Sequence, residues 1–133
     1  MDVYSDFATD EALEVEGRWV SYDTKTKFKI ARVGNDAYTR LFGRLYKANK
    51  VMLESKGPAA KAKSDEVMAE VFGKTILVDW SGPVSLNGVD MPTYSQANAQ
   101  KLCAVKDFRR WVSEQAEDMD AYKATQVEED AKD

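Results

Sequence analysis

The side chains that usually do chemistry are scarce in this chain. Among its 133 residues there is no histidine, so the commonest general base and the commonest zinc ligand are both missing. Cys103 is the single cysteine. It cannot form an internal disulfide or a thiolate metal site, and it has no histidine to activate it as a nucleophile. Beside Leu102, on the apolar side of a helical pattern, it reads as core filler. Asp79, next to Trp80, is the carboxylate in the most apolar setting, and there it suits a helix-end or loop-capping role. Pairs such as Glu128-Glu129 sit in a polar run where nothing would shift their pKa values. The seven glycines are scattered and form no phosphate cradle. No catalytic residue, metal site or cofactor is expected, and the chain reads as a binding protein rather than an enzyme.

One charged pattern remains. Arg40, Arg44 and Lys47 recur at helical spacing, with Lys50 close by, so they share one face of a helix. Such a stripe can contact phosphates or receive an acidic protein segment. Residues 38–63 hold seven bases and one acid, residues 1–16 six acids and no base, and residues 114–133 eight acids and two bases. Acidic ends would repel phosphates, which argues against nucleic acid as a partner.

The elements that position these residues follow from periodicity. Gly17-Arg18-Trp19-Val20-Ser21-Tyr22 is aromatic and β-branched, Asp23 to Thr26 is turn-like, and Lys27-Phe28-Lys29-Ile30 alternates. Together they predict a β-hairpin. Gly34-Asn35-Asp36 is a break with a helix-capping signal, and apolar residues from Ala37 to Leu53 predict an amphipathic helix to about Ser55. A second helix is predicted from a Ser64 cap through Val67, Val71, Phe72 and Ile76 to Val78, with Gly73 inside it, where it allows a close crossing or marks a bend. Residues 83–92 predict a loop with an Asn-Gly turn, and prolines at both ends limit any strand. A third helix follows the Ser95 cap, with Ala97, Ala99, Leu102 and Val105 inward. A fourth starts at Asp107, with Phe108, Trp111, Val112, Ala116 and Met119 inward.

The fold class is therefore α+β, mostly α: an N-terminal hairpin, then about four helices. A single domain spans residues 1–122, with residues 1–16 flexible, and residues 123–133 form a disordered acidic tail. No apolar run approaches the ~18 residues that cross a bilayer, and the acidic N-terminus lacks the layout of a secretion signal. The expected location is the cytosol where the protein is made.

Three blocks in order carry a resemblance. They are the hairpin with Trp19 and Phe28-Lys29-Ile30-Ala31-Arg32; Ile76-Leu77-Val78-Asp79-Trp80-Ser81-Gly82 with Leu86-Asn87-Gly88; and Tyr94-Ser95-Gln96-Ala97-Asn98-Ala99 leading to Phe108, Trp111 and Ala116. Over about residues 17–116 the chain resembles the tail assembly chaperones of long-tailed bacteriophages. The resemblance implies a non-enzymatic protein of the infected bacterium's cytoplasm, absent from the mature virion. It would bind the tape measure protein and keep it soluble while tail tube subunits polymerise. A frameshifted extension that recruits the tail tube protein, and self-association, are compatible with it. The alternative is a small structural tail or connector component of the virion. Trp80, Gly82, Tyr94, Arg40, Arg44 and Lys47 are the candidate partner-binding residues. Trp19, Phe28 and Ile30 are motif positions with a structural role, and Met52, Met68, Met91 and Met119 offer adaptable apolar contacts.

Overall fold

A computed structural model describes residues 1–123. The acidic run over residues 124–133, expected to be disordered, lies outside the described residues. Residues 1–16 show no period in sequence but carry two short helices, α1 (Val3–Phe7) and α2 (Glu11–Glu16). Asp2 and Asp10 cap them by accepting backbone N–H groups, which satisfies donors that a helix start leaves open.

The hairpin forms as its alternation requires. β1 (Arg18–Ser21) pairs antiparallel with β2 (Lys27–Ile30). In the turn, the Asp23 carboxylate accepts N–H bonds from Lys25 at 2.8 Å and Thr26 at 2.7 Å. Those two bonds hold its carboxyl below the ordinary carboxylate range.

α3 (Asp36–Ala48) starts within the predicted Gly34-Asn35-Asp36 capping signal, at Asn35, whose side chain accepts from Tyr38 N. The helix predicted to run to Ser55 breaks at Asn49, and a short α4 (Lys50–Glu54) follows. At the break Asn49 leaves the helical conformation (φ −119°, ψ 18°), and its side-chain amide joins its own N–H in bonding the Leu45 carbonyl, at 2.8 Å. The next helix, α5 (Pro58–Thr75), begins six residues before the expected Ser64 cap. Pro58 stands in its first turn, where a missing N–H costs nothing, and Ser64 is an exposed interior position.

The largest departure follows α5. The apolar run after Thr75, read as the end of a helix, is instead a strand, β3 (Leu77–Ser81), paired antiparallel with β2. The sheet is thus three-stranded, in the order β1-β2-β3. Phe28 stands between Val20 and Trp80 on its inner face, and Lys29 between Trp19 and Asp79 on its outer face. The Asn87-Gly88 signal does make a turn, between β4 (Ser85–Leu86) and β5 (Val89–Asp90). Both turn residues have positive φ, 52° and 79°, as a type I′ hairpin turn requires.

α6 (Gln96–Cys103) starts at the predicted Ser95 cap, and α7 (Lys106–Glu117) follows after a sharp corner. Ala99 and Leu102 point inward as expected, whereas Ala97 and Val105 are exposed. A 3-10 turn, Met119–Tyr122, ends the described chain. The main core lies between the inner sheet face and α5, α6 and α7, centred on Phe28, Ile30, Phe72, Ile76, Leu77, Trp80, Leu102 and Val112. A second cluster, Leu41, Val67 and Val71, joins α3 to α5.

Gly73 marks the crossing of α5 and α6. A Cβ built there would lie 2.6 Å from the Gln100 backbone N and 2.7 Å from its Cα. Of the two readings of this glycine, the structure takes the close crossing.

Cys103 is fully buried in the main core, and burial pushes its thiol up to about 12 from an ordinary 9.0. The neutral thiol therefore stabilises the fold fully below pH ~9, and that contribution is lost as pH rises through ~12. Because the thiolate is the nucleophile, Cys103 should resist iodoacetamide in the folded protein near neutral pH and react once urea unfolds it. Labelling of the native protein at the unfolded rate, read by mass spectrometry, would contradict this placement.

Candidate partner-binding groove

Three segments far apart in sequence meet at one open groove of about 290 Å³. The β1–β2 turn supplies Tyr22 and Thr26, residues 83–86 supply Val84 and Leu86, and the α6–α7 corner supplies Leu102, Val105 and Phe108. The rim is exposed: Tyr22 is 59% and Val105 44% accessible. The floor is Phe28, which meets Phe108 at 5.3 Å and Tyr22 at 6.0 Å between ring centroids, both edge-on.

Specific bonds hold the walls. Thr26, itself buried, donates from Oγ1 to the Pro83 carbonyl at 2.9 Å and ties the hairpin turn to the opposite wall. Gly82 permits that approach. Its φ is +95°, and a Cβ there would collide with the Lys25 carbonyl oxygen. Trp80 Nε1 donates to the Met91 carbonyl at 2.9 Å, which anchors the foot of the β4–β5 hairpin. Tyr94 stacks edge-on against Trp80 at 5.1 Å and donates from its hydroxyl to the Leu77 carbonyl at 3.0 Å.

The structure thus separates the candidate residues into two groups. Trp80, Gly82 and Tyr94 come together with Phe28, but they brace the groove from behind rather than line it. Trp80 is buried, as are Phe28, Ile30 and Met91. Met91 therefore belongs to the core and offers no surface contact. Arg40, Arg44 and Lys47 are exposed on the outer side of α3, and no ion pair within the described residues involves them. Trp19 is half exposed on the outer sheet face, with the Lys29 ammonium 5.9 Å from its ring centroid.

Tyr22, Val84, Leu86 and Val105 were missed as site residues by sequence reasoning. The available signal was weak: an aromatic at the edge of a turn, and a valine whose helical spacing from Leu102 placed it in the core rather than at a surface. Among the described residues, no group of three or more cysteine, aspartate or glutamate side chains is placed to hold a metal ion. Within the described residues, no helix is long and apolar enough to cross a membrane.

A family model described as YdaY prophage protein matches residues 33–133. The chain belongs to the YdaY prophage protein family. The match begins just after the hairpin and covers α3 onward, so two of the groove's three segments fall inside it. Neither the curated proteins nor the solved structures contain a match to the chain. This prophage protein is thus phage-derived.

Proposed function

We propose that this prophage protein is a tail assembly chaperone that binds the tape measure protein and keeps it soluble while the tail tube forms around it. The observation that carries the reading is the open, mostly apolar groove, floored by Phe28 and rimmed by Tyr22, Leu86 and Val105, with Asp23 and Ser85 as polar edges, in a phage-derived chain. A holdase must cover apolar helix faces reversibly. A groove of this size takes one or two large side chains from an amphipathic helix. Several copies along a long helical partner then supply total affinity by multivalency, while each contact stays weak enough to release. The three ordered blocks that resemble tail assembly chaperones support the same reading. In the structure they build the sheet, the groove wall behind Trp80 and Gly82, and the α6–α7 corner. The place of action is the cytoplasm of the infected host.

Coexpression with the tape measure protein of the same prophage tests this. The wild-type chain is expected to raise the soluble yield of that protein and to co-purify with it in several copies. Val105→Glu places a charge on the exposed rim without entering the core. It is expected to weaken capture about tenfold, the effect of losing a central apolar contact, with the circular dichroism spectrum unchanged. No gain in soluble yield, with both proteins well expressed, would sink the reading. Recovery of the chain from purified phage particles by mass spectrometry would replace it with a structural tail or connector role.

A further inference from the structure

A second surface stands apart from the groove. α1 buries none of its residues. Val3 is 65%, Tyr4 76% and Phe7 52% accessible, so its three large apolar side chains face water. They are interleaved with Asp2 and Asp6, and no base occurs in the first 16 residues. Elsewhere, the break between α3 and α4 leaves a shallow apolar corner. Val51 is 88%, Met52 44% and Tyr46 37% accessible there. Lys47 and Lys50 border it, and within the described residues neither is in an ion pair. The one acid at the corner, Glu54, accepts the Tyr46 hydroxyl at 2.9 Å.

These two surfaces match each other in both respects: exposed apolar groups with acids on one, exposed apolar groups with bases on the other. We infer that α1 of one copy docks on the α3–α4 corner of a second copy, with Tyr4 and Phe7 against Val51 and Met52, and Asp2 and Asp6 toward Lys47 and Lys50. Apolar burial supplies the attraction, and the charges set orientation and rate, since exposed ion pairs contribute little alone. The contact is head-to-tail, so each copy keeps one donor and one acceptor surface, and association continues into chains or a ring. The inference does not depend on the chaperone reading, because its readout is the protein alone.

Sedimentation velocity of the full chain tests it. The wild type is expected to show a sedimentation coefficient that rises with concentration up to about 100 μM, less steeply at about 0.5 M salt than at about 0.05 M. The double variant Tyr4→Asp/Phe7→Asp lacks the docking segment, and Lys50→Glu/Met52→Asp lacks the corner. Each is expected to stay monomeric alone, and the two mixed are expected to form a one-to-one dimer, because one intact pair of surfaces remains. All four positions are exposed, and pairing on mixing shows that both variants are folded. A wild type that stays monomeric throughout the range overturns the inference, as do variants that associate like the wild type or fail to pair when mixed.

Discussion

Gly73→Ala destabilises this protein by about 2 kcal/mol, although alanine is the better helix former by about 1 kcal/mol. The methyl would lie 2.6 Å from the Gln100 backbone N and 2.7 Å from its Cα. Backbone cannot rotate away as a side-chain end can, so α6 must move as a body. That movement would loosen Ala99, Leu102 and Cys103 against the sheet. Overpacking of this kind costs roughly 1–3 kcal/mol and more where the neighbour is rigid, which outweighs the propensity gain. Gly43 supplies the control. It lies in mid-α3 with nothing within 4 Å of its Cβ position, so Gly43→Ala should stabilise by about 0.5–1 kcal/mol. Thermal unfolding is expected to put Gly73→Ala about 8 °C below the wild type and Gly43→Ala a few degrees above it. If both alanines raise the midpoint, the close crossing of α5 and α6 is not what fixes residue 73.

The second large effect is at Tyr122. Its side chain is fully buried, its hydroxyl donates to the Ile30 carbonyl at 2.8 Å, and the Arg18 guanidinium lies over its ring at 5.2 Å. Its own carbonyl accepts the Asp10 N–H at 2.8 Å. One residue thus locks the 3-10 turn, the end of β2 and the start of α2 together. Tyr122→Phe keeps the packing but leaves a buried carbonyl without its donor, at about 1–2 kcal/mol. Tyr122→Ala removes the ring as well and should cost about 3–5 kcal/mol. Urea titration would show both as a lower midpoint in that order. An alanine variant within about 1 kcal/mol of the wild type would mean that the turn contributes little to the fold.

What the sequence made legible was local. The hairpin could be read because Lys27 to Ile30 alternate beside a polar turn. Asn35 and Ser95 could be read as caps because the chemistry of a helix start sits within three residues of it. β3 was not legible, because its partner in the sheet lies some fifty residues earlier and its apolar run suits a helix end equally well by spacing. The break at Asn49 is a change of one residue's backbone conformation within an otherwise continuous apolar spacing, a choice that composition does not record. The groove was the least visible feature, since Tyr22, Leu86 and Val105 have no relation until the sheet and the α6–α7 corner bring them together. Trp80, Gly82 and Tyr94 were conspicuous by type and spacing, and the structure uses them as bracing. Large aromatics near turns more often complete a core than meet a partner.

The antiparallel bridge between Thr9 and Lys123, with the Asp10 to Tyr122 bond beside it, makes the described chain nearly a closed loop. Element order is then a matter of where that loop is opened. A short linker joining the region of Lys123 to that of Thr9, with new ends cut at the exposed Gly57 between α4 and α5, would leave every core cluster intact. Circular permutants of this kind are tolerated where the cut falls outside packed structure. The same closeness would let two copies be fused in tandem through a short connection, with each half free to fold as the single chain does.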